Sequence, residues 1–276
     1  MLRGLVFCSL LLVLNSWAVE IIAHRGASYD APENTLASVN LGWQRGADAV
    51  EVDVFLTKDQ KIVALHDKNT KRTTGHNGLV HELTWDQLRQ LDAGSWKNKK
   101  YQGEPIPLLS QILETIPKGK YLVIEIKCGP EIIEPLARLL KRTRTAPANT
   151  TIISFSYEVV AAAKKRFPQR RVYYLSGIKL NSQTQKLEPS VASLIKKAAD
   201  VRLDGLSLGF SGKIDDPMLM RFVGQMRKET TLAKQGFYVW TINDLGRAKK
   251  LTQAGVDGIT TDRPAFLSPV RENEQY

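Results

Sequence analysis

Short apolar runs alternate with helical patterns along most of the chain. Runs rich in Val, Ile and Tyr recur between residues 19 and 261, and most are bounded by Gly, Pro, Asn or Asp. Segments with apolar residues three or four positions apart separate most of these runs. This order predicts parallel strands that are connected by helices.

The pattern places the predicted elements as follows. We expect strands over residues 19–23, 49–55, 61–65, 121–126, 151–155, 171–175, 205–208, 236–240 and 258–261. We expect helices over residues 34–45 (capped by Asn34 or Thr35), 131–144, 157–167, 190–199, 216–228 and 244–254, and a polar loop over 176–188. This α/β pattern favours a (β/α)₈ TIM barrel. A doubly wound open sheet is the alternative, disfavoured because no glycine-rich phosphate loop opens the first helix.

Residues 68–108 interrupt the alternation. They are polar, contain four glycines and carry one short helical pattern near residues 84–91. We interpret this stretch as a small insertion after the second strand pair, above the main scaffold.

The first 18 residues differ from the rest of the chain. Arg3 is their only charge, residues 5–14 are mostly apolar, and Ser16-Trp17-Ala18 is typical of a small-x-small cleavage site. We expect a signal peptide over residues 1–18, a single domain over 19–276, and export to the periplasm or the medium. An uncleaved N-terminal anchor is the alternative, but a membrane-spanning helix needs about 20 apolar residues.

Charge and cysteine content limit the partners. The formal net charge of +11 favours anionic partners such as phosphodiesters, and would suit transient contact with an anionic membrane surface. The Lys and Arg residues are spread along the chain, and no motif typical of nucleic-acid binding is found. Removal of the leader would leave Cys128 without Cys8, so we expect no intramolecular disulfide. The sequence predicts no oligomeric state.

Two carboxylates share one face of the second predicted strand. Glu51 and Asp53 point the same way, because side chains repeat every second residue in a strand. Their charges repel each other, and a divalent cation held by oxygen ligands is the usual resolution. The alternative is that Arg25 and Lys127 neutralise them by ion pairing.

Other reactive side chains follow the ends of neighbouring predicted strands. In a barrel they would converge at the C-terminal ends of the strands, where function gathers. The set is His24, Arg25, Glu51, Asp53, His66, Glu125, Lys127, Ser156, Trp240 and Asp262. Metal-assisted chemistry on a phosphate ester requires such a combination of imidazole, guanidinium and carboxylate groups.

Ordered motifs then carry a family resemblance. They are HRGASYDAPENTLAS (24–38), GADAVEVDVFLTKDQKIVALHD (46–67), RTTGHNG (72–78), LDAGSW (91–96), IPLL (106–109), EIK (125–127), SFS (154–156) and VWTINDLGRAKKLTQAGVDGITTDRP (239–264). In them the chain resembles the glycerophosphodiester phosphodiesterase family, with residues 68–108 as the insertion that marks this family. The resemblance extends over almost all of residues 19–276, which it identifies as one catalytic TIM-barrel domain.

The resemblance implies hydrolysis of a small-molecule glycerophosphodiester to glycerol 3-phosphate and an alcohol. It implies one divalent cation, calcium or magnesium, on three oxygen ligands, which are Glu51, Asp53 and Glu125. It also implies that His24 and His66 are the acid and base, since imidazole titrates near ~6.5. The nucleophile is either water or the glycerol hydroxyl beside the phosphate.

The remaining contacts to substrate follow from the same resemblance. Arg25 and Lys127 would hold the phosphate. Trp240, together with Phe155 or Phe210, would contact the glycerol carbons, although core packing is an alternative for Trp240. Two other functions stay open: a lysophospholipase D or sphingomyelinase-D-like enzyme, and a non-enzymatic barrel that binds phosphodiesters or polyanionic polymers.

Overall fold

A computed structural model describes residues 19–212 and 216–271. The predicted signal peptide lies outside these residues. The described strands are β1 (Glu20–Ala23), β2 (Ala49–Leu56), β3 (Ile62–Ala64), β4 (Tyr121–Ile126), β5 (Thr150–Ser154), β6 (Arg171–Asn181), β7 (Lys186–Glu188), β8 (Gly205–Ser211), β9 (Gly236–Trp240) and β10 (Gly258–Thr261).

The described α-helices lie mainly between these strands. They are α1 (Leu36–Gln44), α2 (Lys71–Thr74), α3 (Trp85–Leu88), α4 (Leu109–Leu113), α5 (Ile133–Arg142), α6 (Tyr157–Arg166), α7 (Val191–Asp200), α8 (Asp216–Leu232), α9 (Leu245–Gln253) and α10 (Pro264–Leu267). Thr35 caps α1, as one of the two predicted candidates. No helix within the described ranges is both long and apolar enough to cross a bilayer.

Eight of the described strands form a closed parallel barrel, in the order β1, β2, β4, β5, β6, β8, β9 and β10. β10 pairs with β1 and closes the ring. The predicted TIM barrel is therefore confirmed. β3 and β7 stay outside the ring, because each pairs antiparallel with one barrel strand, β2 or β6.

The strands separate two apolar layers. Val50, Val52 and Val54 on β2 are fully buried in the main core, which lies between the barrel and its helices. A second cluster fills the barrel interior and includes Ala49, on the opposite face of β2. Because side chains alternate along a strand, Glu51 and Asp53 continue this interior face toward the C-terminal end of β2. The alternation predicted for this strand is confirmed.

The predicted polar loop over residues 176–188 is wrong in part. β6 continues to Asn181 and turns into β7, so this stretch is mostly a β-hairpin. Ile178 and Leu187 are buried in the main core, which explains why the strand persists beyond the barrel. The polar residues Lys179 and Asn181 favour a loop in the sequence. Their alternation with apolar residues is, however, also typical of a half-buried strand.

Residues 68–108 pack on the outside of the β2–β3 hairpin. Leu88 and Ile106 join Val63 and Leu65 in a small cluster separate from the main core. The short helix α3 carries a capping box at Thr84. The segment thus buries an apolar centre of its own against the β2–β3 hairpin.

Candidate active site

Three carboxylates converge inside the C-terminal end of the barrel. Asp53 on β2 and Glu125 on β4 are direct partners in the strand register. Glu51 lies two residues before Asp53, on the same face of β2. One oxygen of each of these side chains lies within 4.8 Å of one oxygen of the other two. All three residues are buried. The parallel register thus brings Glu125 to the pair that the sequence placed on one strand face.

Burial and mutual repulsion make this cluster unfavourable when charged. Burial raises the pKa of Glu51 well above its usual range, and the charges of Asp53 and Glu125 raise it further. Burial and the charge of Asp53 likewise raise the pKa of Glu125. Oε1 of Glu51 and Oδ1 of Asp53 are buried without a hydrogen-bond partner among the described residues. A divalent cation would satisfy both oxygens and offset the repulsion, so the donor set fits such an ion.

The alternative of ion pairing describes part of this geometry. Nζ of Lys127 lies 2.7 Å from Oε1 of Glu125 and 3.4 Å from Oδ1 of Asp53. Nε of Arg25 lies 3.2 Å from Oδ2 of Asp53. Among the residues that the structure describes, Glu51 forms no ion pair and accepts a hydrogen bond from the backbone N–H of Arg25, at 2.8 Å. Ion pairing among the described residues therefore reaches Asp53 and Glu125 but not Glu51.

The loop after β1 is held in an unusual backbone conformation. Arg25 has φ +55° and Gly26 has φ +79°. A Cβ at Gly26 would collide with the carbonyl group of Ser38 in α1. The Gly26 N–H donates to the carbonyl oxygen of Glu51, at 3.2 Å. Only glycine allows this close approach, which sets Arg25 beside the carboxylates.

Asn34 fixes the orientation of Asp53. Its Nδ2 donates to Oδ2 of Asp53 at 2.8 Å, and its Oδ1 accepts from the backbone N–H of Asp53 at 3.0 Å. Asn34 is buried and has φ +59°, so the capping role considered for it is filled by Thr35. Asn34 thus binds Oδ2 and leaves Oδ1 of Asp53 without a hydrogen bond within the described residues.

His24 is anchored at the end of β1 by Asp262. Nδ1 of His24 lies 2.6 Å from Oδ1 of Asp262, which also accepts a hydrogen bond from Oγ of Ser28 at 3.0 Å. Asn243 donates to Oδ2 of Asp262 at 2.6 Å. Burial opposes ionisation of Asp262, but these hydrogen bonds lower its pKa to about 2. The carboxylate therefore stays charged and leaves Nε2 of His24 as the nitrogen that is free to react.

His66 is held by a chain of hydrogen-bonded charged groups. Nδ1 of His66 lies 2.7 Å from Oδ1 of Asp67, and Nε of Arg72 donates to Oδ2 of Asp67 at 2.6 Å. Arg72 also makes two hydrogen bonds to Glu33, which in turn binds Arg25 at 3.0 Å. Burial lowers the pKa of His66 below its usual value. The network thus connects one imidazole to the guanidinium that lies beside Asp53.

Aromatic rings form one wall of the site. Phe155 and Trp240 pack edge to face with ring centroids 5.4 Å apart, and Nζ of Lys127 lies 5.8 Å from the Phe155 ring. Nε1 of Trp240 donates to the carbonyl oxygen of Ser207, at 3.1 Å. Trp240 therefore belongs both to the barrel interior and to the site. Phe210 instead packs against Phe222 of α8, away from this wall.

The structure brings the candidate residues to one end of the barrel and adds others. Sequence reasoning assigned no role to Arg72 and Asn243, and gave Asn34 only a supporting role. Arg72 lies in RTTGHNG, one of the ordered motifs, and its place in that motif is the sequence feature that could have indicated a functional role. Burial raises the pKa of the Cys128 thiol to about 11, which disfavours a nucleophilic thiolate at neutral pH.

Comparisons with known proteins agree with this geometry. The model of the glycerophosphoryl diester phosphodiesterase family matches residues 24–266. YhdW of Bacillus subtilis (strain 168) is 35% identical over 256 residues, which cover 90% of this chain and 96% of YhdW. A glycerophosphodiester phosphodiesterase of Caldanaerobacter subterraneus subsp. tengcongensis is 32% identical, with 90% of this chain and 95% of that protein covered.

A solved structure extends the likeness to the whole fold. It is that of an Oleispira antarctica phosphodiesterase in complex with its product, sn-glycerol-3-phosphate. It superposes with a TM-score of 0.77 and 31% identity, and the match covers 92% of this chain and 97% of that one. The present chain belongs to the glycerophosphoryl diester phosphodiesterase family and is an enzyme that hydrolyses glycerophosphodiesters.

Proposed function

We propose that this enzyme hydrolyses small, water-soluble glycerophosphodiesters to glycerol 3-phosphate and an alcohol, with one calcium or magnesium ion and two catalytic histidines. Glu51, Asp53 and Glu125 would hold the ion. One observation carries the proposal: two of these three buried carboxylates keep an oxygen without a hydrogen-bond partner within the described residues, in a cluster where one oxygen of each residue lies within 4.8 Å of the others.

A cation held there would polarise the phosphoryl oxygens and offset the charge that develops on them. Arg25 and Lys127 would bind the phosphate beside it. Asp53 and Glu125 raise the pKa of Lys127 despite its burial, so this ammonium stays charged. Trp240 and Phe155 would pack on the glycerol carbons and exclude water from one side of the phosphate.

The two imidazoles divide the proton transfers. Burial lowers the pKa of His66, which keeps Nε2 neutral and suits it to accept the proton of the nucleophile. His24, held at Nδ1 by the ionised Asp262, would donate a proton from Nε2 to the leaving alkoxide. Both assignments apply equally to attack by water and to attack by the adjacent glycerol hydroxyl.

A lysophospholipase D or sphingomyelinase-D-like activity is a second candidate. Phe155 at the aromatic wall is 46% exposed, so an apolar surface lies beside the carboxylates. An acyl chain would require an extension of this surface. Turnover of lysophosphatidylcholine that exceeds turnover of glycerophosphocholine would favour this candidate.

Export is a further part of the proposal and rests on the sequence alone. The apolar stretch and the small-residue site in residues 1–18 support a cleaved signal peptide. Mass spectrometry of the protein from the envelope fraction would identify the mature N-terminus, expected near Val19. A retained Met1 would contradict this proposal.

The decisive experiment is the release of glycerol 3-phosphate from glycerophosphocholine by residues 19–276. We expect release to stop with a chelator and to return with calcium or magnesium, added separately. His24→Ala and His66→Ala should each abolish release, whereas His81→Ala, an exposed histidine in the insertion, should retain it. Full release by both catalytic variants, or full release in chelator, would contradict the mechanism.

A further inference from the structure

A group of exposed aromatic and cationic side chains borders the catalytic end of the barrel. Five large apolar side chains are exposed in the part of the chain that the structure describes. Three of them lie here: Tyr29 is 56% exposed, Phe266 44% and Trp96 42%. With the cations Lys99, Lys100 and Arg263 they form what we call the aromatic–cation rim. Exposed aromatic rings gathered at one place indicate an interaction surface.

The cations of the rim lie among the aromatic rings. The Arg263 guanidinium lies 4.3 Å from the ring centroids of both Tyr29 and Phe266. Nζ of Lys100 lies 4.8 Å from the ring centroid of Tyr101. No ion pair of Lys99, Lys100 or Arg263 occurs within the described ranges. The rim is therefore apolar and positively charged at the same time.

Hydrogen bonds make the rim continuous and join it to the active site. Nζ of Lys97, next to Trp96, donates to the carbonyl oxygen of Ser28 at 2.8 Å. Tyr101 Oη donates to the carbonyl oxygen of Asp30 at 3.1 Å. The backbone N–H of Tyr29 donates to the carbonyl oxygen of Asp262, which precedes Arg263. The insertion and the loops after β1 and β10 thus form one surface beside His24.

The nearby acidic groups are already engaged. Asp30 lies 3.6 Å from Nη1 of Arg45. Asp262 binds His24 and Asn243. The carboxylates of Asp30 and Asp262 therefore bind Arg45, His24 and Asn243 rather than the cations of the rim.

We propose that the aromatic–cation rim docks the catalytic face of this enzyme onto an anionic lipid bilayer surface. Tyr and Trp side chains favour the headgroup region, where the ring is shielded and the polar atom stays hydrated. Lys and Arg are attracted by the negative surface potential of anionic lipids. Because both chemistries occur together at this one edge, docking would hold the active site at the membrane.

The test is co-sedimentation of residues 19–276 with phosphatidylcholine vesicles, with and without phosphatidylglycerol. We expect binding that requires phosphatidylglycerol and weakens with added salt. The triple variant Lys99→Gln/Lys100→Gln/Arg263→Gln should have a partition coefficient at least an order of magnitude lower. Each cation near an anionic surface contributes roughly fivefold to binding. Tyr29→Ser/Phe266→Ser should lower it as well, because the rings are lost.

A charge-matched control separates the rim from net charge. Lys141→Gln/Arg142→Gln/Lys165→Gln removes three exposed cations near the C-terminal ends of α5 and α6, at the opposite end of the barrel. It should bind as the unsubstituted protein does. Equal loss in the control and the rim variant, or no binding of the unsubstituted protein at low salt, would overturn the proposal.

Turnover of glycerophosphocholine by the same preparations keeps the two proposals distinct. We expect the rim variants to retain it, because none of the substituted residues contacts the carboxylates. Retained turnover without vesicle binding contradicts the docking proposal alone. Vesicle binding without turnover in any metal contradicts the proposed reaction alone.

Discussion

Asp262 holds His24 across almost the entire length of the chain. The two residues are separated by 238 positions, and yet Oδ1 of the carboxylate lies 2.6 Å from Nδ1 of the imidazole. β10 pairs with β1 where the barrel closes, and this pairing brings the residues after both strands together. The contact thus depends on barrel closure and orients a proposed catalytic group.

Asp262→Asn should lower kcat with little effect on KM. The amide can still bind Nδ1, but it lacks the charge that stabilises the imidazolium and fixes the tautomer. We expect a loss of about 10² to 10⁴ in kcat, in line with the removal of a carboxylate that orients a catalytic histidine. Steady-state kinetics on glycerophosphocholine across pH would measure it. Asp216→Asn, which removes an exposed carboxylate paired with Lys250, is the control, and an equal effect of both would contradict this role.

Asn34→Ala should weaken cation binding while the fold is retained. Asn34 makes two hydrogen bonds to Asp53, so its loss frees a proposed ligand to rotate. Groups that orient metal ligands typically contribute about 10- to 100-fold in affinity. Isothermal titration calorimetry with calcium and magnesium would measure the change. Asn149→Ala, which removes a single hydrogen bond to the Lys120 carbonyl oxygen, should bind the cation normally.

Glu51→Gln should raise the thermal stability of the metal-free enzyme at neutral pH. Burial and the neighbouring carboxylates raise the folded-state pKa values of Glu51 and Glu125 above the ordinary value of about 4.5. Their contribution to stability is therefore full below about pH 4.5 and is lost as pH rises through the folded-state values.

Thermal melts in the presence of a chelator would test whether the substitution raises or lowers the melting temperature. We expect Glu51→Gln to melt at a higher temperature than the unsubstituted protein at pH 7, because the glutamine buries no charge beside Asp53 and Glu125. The difference should disappear near pH 4 and reverse in calcium or magnesium, since only the unsubstituted cluster keeps its full affinity. A lower melting temperature at pH 7 in chelator would contradict the electrostatic account.

Gly26→Ala should cost more stability than Gly46→Ala. Both glycines have positive φ, +79° and +76°, so both substitutions incur the cost of a left-handed conformation, about 1–2 kcal/mol. A Cβ at Gly46 meets open space, whereas at Gly26 it meets the carbonyl group of Ser38. Chemical denaturation should show the additional loss. Only Gly26→Ala should also reduce turnover, because Arg25 moves; equal effects would contradict the close approach.

The sequence by itself determined the order of the elements and the local chemistry. Period-two alternation placed Glu51 and Asp53 on one face of β2, and cap and turn residues bounded α1. These features depend on neighbours along the chain. The continuation of β6 into a hairpin was missed, because its burial depends on Ile178 and Leu187 meeting the distant main core.

Only the tertiary structure decided which side chains meet. The register of β2 against β4 sets Asp53 beside Glu125, barrel closure sets His24 on Asp262, and the insertion brings Lys97 to the carbonyl oxygen of Ser28. Each contact joins residues that are remote in sequence, and the pairing of strands or the packing of the insertion fixes its geometry. Spacing along the chain specifies which groups are available, whereas strand register and packing determine their distances, burial and pKa values.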